Sequence, residues 1–384
     1  MEICVKSKCT GCFACLNSCP KNCIKMVENE IGHIYPQIDK SVCIRCEKCK
    51  KVCPANSDVT KNTLNLAYAA YHKDKNEHDT STSGGVAAGF SNYTIENEGV
   101  VYGSSSKVKN SISHIRVDNK KDLCLLKGSK YVHSYIDNCY SLAQNDLNAG
   151  KKVLFIGTPC QIAGLKSFLS KDYDNLITVD LLCHGVPPQK LLFDHLKKYG
   201  VNDKTISFRD KDGFVLKLFK DKRMVYSKRA TLDLYFIGFN KNLFLRESCY
   251  NCEYSTLGRC SDITIGDFWG LGKKHSVSIN TESGISVVVP NTKKGLSFWE
   301  TVKESFVYEQ RDINEAIEGN VNFKTPTSKH KKANDFIESY VKCGFKIACF
   351  RHMYKDIFMA RVFDMIKRNK RLLNLAIKVK NRFK

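Results

Sequence analysis

Two runs of cysteine near the N-terminus share one spacing: Cys9-x-x-Cys12-x-x-Cys15-x-x-x-Cys19-Pro20 and Cys43-x-x-Cys46-x-x-Cys49-x-x-x-Cys53-Pro54. Thiolates three residues apart wrap one face of a cuboidal iron–sulfur cluster, and the fourth cysteine of such a run ligates the other cluster. The spacing therefore assigns Cys9, Cys12, Cys15 and Cys53 to one 4Fe-4S cluster and Cys43, Cys46, Cys49 and Cys19 to a second. This is the bacterial dicluster ferredoxin arrangement. Each closing proline directs the chain away from its cluster, and Gly11 permits a close backbone approach. Zinc is the competing chemistry, but zinc sites use paired Cys-x-x-Cys knuckles rather than four-cysteine runs. Cys4 and Cys23 fall outside the pattern and read as spare thiols.

A third group stands far along the chain: Cys249-Tyr250-Asn251-Cys252, then Cys260. Three soft thiolates are most of a metal site, for zinc or for a further cluster. Cys160 and Cys183, each at a predicted strand end, are the candidates for the fourth ligand. His184 is a candidate proton donor near a cofactor. With no carboxylate beside it in sequence, a hydrogen-bonded structural histidine is the favoured reading. Asp267 and Trp269 are candidates for shaping a cofactor pocket.

The elements that must position these residues alternate between strand and helix. A polar stretch over 56–62 reads as a linker. Beyond it, strands are expected at 66–71, 100–104, 152–156 and 176–182, with helices at 83–98 and 161–169. Such alternation predicts an α/β sheet with ligands at the carboxyl ends of its strands. The turns at those ends are rich in donors. Ser81-Thr82-Ser83-Gly84-Gly85 opens a helix and reads as a phosphate cradle, and Lys127-Gly128-Ser129-Lys130-Tyr131 adds cations and hydroxyls. Gly157-Thr158-Pro159-Cys160 is a third such turn. Each alone is most often a helix cap. The Gly-x-Gly-x-x-Gly signature of nicotinamide folds is absent.

Length and charge bound the rest. The 384 residues suffice for two or three domains, and no apolar run is long enough to span a membrane. No secretory leader precedes the first cysteines, so reduced thiols and a cytoplasmic location are expected. Formal net charge is +22, and basic residues are dense after Arg351. From about 334 the pattern is helical, with apolar and basic residues interleaved to the C-terminus. It fits a helix packed on the body or one lying at the inner face of an anionic membrane. No nucleic-acid recognition motif accompanies the charge.

Five ordered motifs carry a resemblance over about residues 64–325. They are Ser81 to Gly85, Lys127 to Tyr131, Gly157-Thr158-Pro159-Cys160-Gln161, Cys183-His184-Gly185-Val186-Pro187, and the block from Cys249 to Trp269. The chain resembles the coenzyme F420 hydrogenase/dehydrogenase beta-subunit family. The resemblance implies FAD, held by the Ser-Gly-Gly, Lys-Gly-Ser and Gly-Thr-Pro turns. It also implies a third 4Fe-4S cluster with Cys249, Cys252 and Cys260 as ligands, completed by Cys160 or Cys183. A flavin takes up a hydride and releases electrons singly, so it belongs between a hydride partner and one-electron clusters.

The expected architecture is multidomain: a dicluster ferredoxin fold (1–58), a linker (59–63), an α/β flavin and iron–sulfur domain (64–330) and a basic helical segment (331–384). The expected function is an oxidoreductase passing electrons between the clusters and FAD to reduce or oxidise an unknown small substrate. Its electron partner would be a ferredoxin or another redox protein. Relatives of this layout without a deazaflavin are often tied to surface-polysaccharide biosynthesis. The alternatives are an electron-transfer subunit of a larger enzyme and a non-enzymatic iron–sulfur redox sensor.

Overall fold

The computed structural model describes residues 2–210 and 213–369. In the N-terminal unit, helices α1 (Ala14–Asn17) and α2 (Lys48–Lys51) flank a hairpin of β1 (Ile24–Glu28) and β2 (Ile34–Ile38). Both helices start from a left-handed residue at the same place in the two cysteine runs, Phe13 (φ 67°) and Glu47 (φ 59°). A left-handed non-glycine residue costs energy. Its recurrence one residue after Cys12 and after Cys46 shows that both loops need this turn to wrap their thiols.

The central region follows in chain order. It runs through β3 (Ala67–His72), α3 (Lys75–Thr80), α4 (Val86–Glu96), β4 (Val100–Ser104), β5 (His114–Val117), α5 (Cys139–Asn148), β6 (Val153–Gly157), α6 (Pro159–Leu169), β7 (Leu176–Leu181) and α7 (Gln189–Leu196). The expected strands and helices are present, most within two residues of their predicted bounds. Next come β8 (Lys204–Asp210), β9 (Gly213–Lys220), β10 (Arg223–Arg229), α8 (Leu234–Asn240) and α9 (Glu247–Tyr250). The last part holds β11 (Ile263–Asp267), β12 (Ser286–Pro290), α10 (Lys293–Val302), β13 (Phe306–Arg311), α11 (Ile313–Gly319), α12 (Ala333–Cys343) and α13 (Phe345–Arg368).

Eight strands form one sheet in the order β13-β3-β12-β11-β7-β6-β4-β5, and β8, β9 and β10 form a separate antiparallel sheet. β4, β6, β7 and β11 run parallel, and β3 shares their direction across antiparallel β12. Their carboxyl ends therefore open on one edge, where ligands of α/β sheets bind. Alternation along the strands divides the core. Val101 and Leu154 face α4 and α10, with Trp299 and Phe90 behind them, while Tyr102 and Phe155 face α5 and α6.

The ferredoxin-like unit is not a separate lobe. Cys12, Phe13 and Ala14 are buried in the same cluster as Tyr140, Phe155 and Ile162. The expected linker is also tied down, since Asn62 exchanges backbone hydrogen bonds with Arg259 at 2.8 and 2.9 Å. The expected C-terminal helices are α12 and α13, and α13 kinks at Met353. The remainder of that segment, 370–384, lies outside the described residues.

Candidate functional site

Three groups of thiols lie within this frame. Cys19, Cys43, Cys46 and Cys49 line one cavity at the protein surface, where Cys46 is exposed. Cys9, Cys12, Cys15 and Cys53 are buried together, and the Cys15 thiol is pushed up first by burial and then by Cys12, Cys9 and Cys53. Cys53 thus sits with the first run and Cys19 with the second. Cys4 and Cys23 are not remote. The Cys23 Sγ lies 3.4 Å from Cys19 Sγ, and hydrogen bonds to Cys53 and Cys9 hold the Cys4 thiol well above its ordinary range. The same contact draws Cys9 down to about 6, helped by Arg246.

The third group divides between a cavity wall and the core behind it. Cys160, Cys183, Cys249 and Cys252 all line one cavity of about 270 Å³. Both candidates for the last position are there, and Cys260 is not among the lining residues. Cys260 precedes β11 and is buried against Ala163 and Tyr254, behind Cys160 and Cys252. The physical reason is the route of the chain. Residues 253–259 turn back to pair Arg259 with Asn62, which carries Cys260 to the start of β11 instead of the cavity wall. Cys160 stands in the first turn of α6, whose N-cap Thr158 forms a capping box with Gln161. Cys183 follows β7, and the Val186 N–H donates to Cys249 Sγ at 3.5 Å. Burial pushes the Cys183 and Cys249 thiols up to about 12.

The far wall of this cavity is ferredoxin: Ser7, Lys8, Thr10 and Ala55 line it together with Arg246. Arg246 is fully buried. Its Nε donates to the Cys9 carbonyl oxygen (2.6 Å), and its Nη2 donates to the Ile34 carbonyl oxygen (2.8 Å) and to Cys9 Sγ (3.4 Å). Nη1 is buried without a protein partner. Gly11 (φ +66°) admits this contact, since a Cβ there would stand 2.9 Å from His133 Cε1 and 3.1 Å from Arg246 Nη1. Its close approach is therefore to this side-chain pair. Gly164 of α6 does the same for Cys12, whose Cβ and Sγ would lie 2.9 Å from an added methyl. Neither Arg246 nor Gly164 carries a sequence signal of its own; an arginine three residues before Cys249 was the only hint.

Among the described residues no three His, Cys, Asp or Glu side chains converge closely enough to hold a single metal ion. Cys19, Cys43, Cys46 and Cys49 line one cavity and Cys160, Cys183, Cys249 and Cys252 another. Soft thiolate donors without carboxylates suit iron–sulfur chemistry.

The expected flavin turns gather on the carboxyl edge of the sheet, but not every donor is available. Thr82 Oγ1 and Ser129 Oγ meet at 3.1 Å and join two of the turns. Ser83 Oγ instead donates to the Ile285 carbonyl oxygen, and the Gly84 N–H donates to Ser286 Oγ, so both hold β12. Gly84 is needed for packing, because a Cβ would sit 2.1 Å from the Ala70 carbonyl oxygen. Gly85 (φ +74°) caps α4. Lys127 pairs with Glu77 at 2.9 Å. Lys130 donates to the carbonyl oxygens of Leu126 and Lys127, and burial pulls its amine down to about 7. The hydroxyls of Ser81 and Ser104 are buried without partners. Tyr131 packs among Phe208, Phe214, Phe236 and Phe239, beneath the three-stranded sheet.

His184 lines the thiol cavity, but its Nε2 lies 2.7 Å from Asn242 Oδ1 and its carbonyl oxygen accepts from Thr327. Burial lowers its pKa. These ties support the structural reading. Asp267 pairs with Arg209 at 2.7 Å, and half-exposed Trp269 stacks on Phe214.

Residues 150–316 match the family model for the C-terminal part of the coenzyme F420 hydrogenase/dehydrogenase beta subunit. Residues 8–57 and 35–96 match models of 4Fe-4S dicluster domains. The chain thus joins a 4Fe-4S dicluster domain to a segment similar to the C-terminal part of that beta subunit. A coenzyme F420-dependent sulfite reductase of Methanocaldococcus jannaschii is 22% identical over 366 residues, covering 88% of this chain and 53% of that protein. The chain thus spans about half the length of that relative. An uncharacterised protein of Porphyra purpurea is 39% identical over 57 residues, 14% of this chain and 76% of the relative. A chain of the F420-reducing [NiFe] hydrogenase complex from Methanosarcina barkeri aligns over 76% of this chain and 92% of its own length. That alignment has 16% identity and a TM-score of 0.44. The matched residues 150–316 include Cys160, Cys183, Cys249 and Cys252, with β6, β7, β11, β12 and β13 of the large sheet.

Proposed function

We propose that the protein is an iron–sulfur flavoprotein oxidoreductase in which three clusters form one electron path. The outer cluster is held by Cys19, Cys43, Cys46 and Cys49, and the inner one by Cys9, Cys12, Cys15 and Cys53. Cys160, Cys183, Cys249 and Cys252 hold the third. The observation that carries this reading is the shared wall: the loop around Cys9 and Arg246 bounds the cavity lined by the four distant thiols. Electron relay needs closely spaced centres in a protein matrix that excludes water. The burial of Cys9, Cys12 and Cys53 and the contact of Cys12 with Gly164 of α6, the helix that carries Cys160, support such a path.

FAD at the carboxyl edge of the sheet would couple single-electron transfer to hydride exchange with a small substrate, a deazaflavin coenzyme or another hydride carrier. Support lies in the Thr82–Ser129 contact, the unpartnered hydroxyls of Ser81 and Ser104, and the N-terminus of α4 beside the Ser81–Gly85 turn. Thr158 and Gln161 hold the start of α6, so that Pro159 and Cys160 face the thiol cavity from this edge.

Iron and flavin content of anaerobically purified protein tests the proposal. About twelve irons and one flavin per chain are expected. About eight irons with no flavin after reconstitution would reduce the protein to a two-cluster carrier.

A second reading, an electron-transfer subunit serving a partner enzyme, is favoured by the surface around exposed Cys46. Lys21, Arg45 and Lys48 line its cavity with Glu47, and Val42 and Ile44 are exposed. Such a surface suits an acidic redox protein.

A further inference from the structure

Seventeen large apolar side chains are exposed among the described residues, and seven of them lie on α13: Ile347, Phe350, Tyr354, Phe358, Met359, Phe363 and Met365. No other element approaches this density. The helix is anchored through its opposite side, where Phe345, Ala348, Cys349, Met353 and Ile357 are buried in the cluster formed with α7, α8 and α12. At 3.6 residues per turn, Tyr354, Phe358 and Met365 follow one edge of the outward face and Met359 and Phe363 the other, with Val362, Ile366 and Lys355 between them. Met353 and Ile357 face the body. The outward face is thus apolar for about four turns after the kink at Met353.

Charge identifies what covers this face. α13 carries Lys346, Arg351, Lys355, Arg361, Lys367 and Arg368 against only Asp356 and Asp364. Both acids are occupied: Asp356 pairs with Lys241 of the body at 2.9 Å, and Asp364 with Arg368 at 2.8 Å. The outward face therefore combines aromatic and thioether side chains with the unneutralised cation Lys355, and Arg361 stands at its body-side edge, where it lines the groove shared with Lys228 and Leu232. The centre of a protein–protein interface is depleted in lysine, whereas Lys355 stands in the middle of this face. Lysine and arginine among apolar side chains, with long stems that reach back to a polar layer, instead match the boundary of an anionic bilayer. No helix among the described residues is long and apolar enough to cross a membrane, so the contact would be peripheral.

We propose that α13 docks the protein on an anionic lipid surface, with Tyr354, Phe358, Met359, Phe363 and Met365 in the acyl boundary and Lys355 and Arg361 at the headgroups. This inference is independent of the flavin and cluster assignments.

Co-sedimentation of the purified full chain with vesicles tests it, using phosphatidylcholine alone and phosphatidylcholine mixed with phosphatidylglycerol. The chain is expected to pellet with the mixed vesicles, to bind neutral ones at least about tenfold more weakly, and to release at high salt. Combined Tyr354→Ser, Phe358→Ser and Phe363→Ser should lower partitioning at least about tenfold while circular dichroism and iron content stay native. Because such a variant can misfold, Lys355→Glu with Arg361→Glu provides a second test that leaves the apolar face intact, and it should also weaken binding. Failure to pellet with anionic vesicles overturns the proposal. So does a stable dimer of the native chain that the serine variant converts to monomer without any vesicle binding, since α13 would then be a contact between two copies.

Discussion

Arg246 donates to Cys9 twice, from Nη2 to Sγ at 3.4 Å and from Nε to the carbonyl oxygen at 2.6 Å. The same guanidinium leaves Nη1 unpartnered and lines the cavity of Cys160, Cys183, Cys249 and Cys252. A buried cation between two thiol sets stabilises added negative charge on either side, so it favours the reduced state of both proposed clusters. Arg246→Met is therefore expected to lower the potential of the inner cluster. Loss of one charge-assisted hydrogen bond, about 1.5–3 kcal/mol, corresponds to roughly 60–130 mV for one electron. Arg246→Lys should restore part of the shift. Redox titration followed by electron paramagnetic resonance reads it, and an unchanged potential at full iron content would remove Arg246 from this role.

Gly164 allows α6 to touch the inner thiol loop. Gly164→Val places a branched side chain where Cys12 Cβ and Sγ and Tyr140 Oη would lie within 3.0 Å of its Cβ. Overpacking of this kind costs about 1–3 kcal/mol, more than the gain in helix propensity over glycine. Thermal denaturation and iron content should both fall, with the loss confined to the inner cluster.

The third ligand set separates cleanly by substitution. Cys183→Ser and Cys160→Ser should each remove about four irons per chain, while Cys260→Ser keeps them. Cys260→Ser is expected to lower stability by about 1–3 kcal/mol by burying a hydroxyl among Ala163 and Tyr254. Full iron in Cys183→Ser together with loss in Cys260→Ser would reinstate the ligand set expected from the sequence.

Lys130 makes stability depend on pH. Its amine is pulled from the ordinary lysine value to about 7 by burial. Between that value and about 10.4 the unfolded chain binds the proton more readily, so stability rises with pH across this window and is lowest below it. Urea denaturation at about pH 7 and about pH 10 should show this rise, and Lys130→Met should reduce it. Bound phosphate groups would restore the charged amine and flatten the native profile, which makes the same measurement a test of the proposed cofactor cradle. An identical slope in the variant would show that Lys130 does not carry the effect.

The outer cluster surface should govern electron intake. Arg45→Glu with Lys48→Glu is expected to slow reduction by an acidic ferredoxin on the order of tenfold at low ionic strength, with the difference shrinking as salt is added. Stopped-flow reduction at two salt concentrations measures this. Equal rates for both proteins would move the docking surface elsewhere.

The ferredoxin thiols were legible because their geometry is local. Cys9, Cys12 and Cys15 are held by one turn, repeated around Cys43, Cys46 and Cys49 with the same left-handed residue after the second cysteine. The strands at 100–104 and 176–181 were equally plain, since continuous apolar runs bounded by turns mark buried parallel strands. Spacing along the chain thus determined the dicluster unit and the α/β pattern. It did not decide the third thiol set. Cys160, Cys183, Cys249 and Cys252 meet only because β6 and β7 end side by side and α9 folds back over them. Cys260, the nearer neighbour in sequence, is carried away by the Asn62–Arg259 pairing. The burial of Arg246, the seating of Cys12 on Gly164 and the pairing of Lys127 with Glu77 likewise depend on contacts between residues far apart in the chain. Local turns are set by the backbone preferences of a few adjacent residues, whereas the meeting of distant side chains depends on how whole strands and helices pack, and only the tertiary structure decides that.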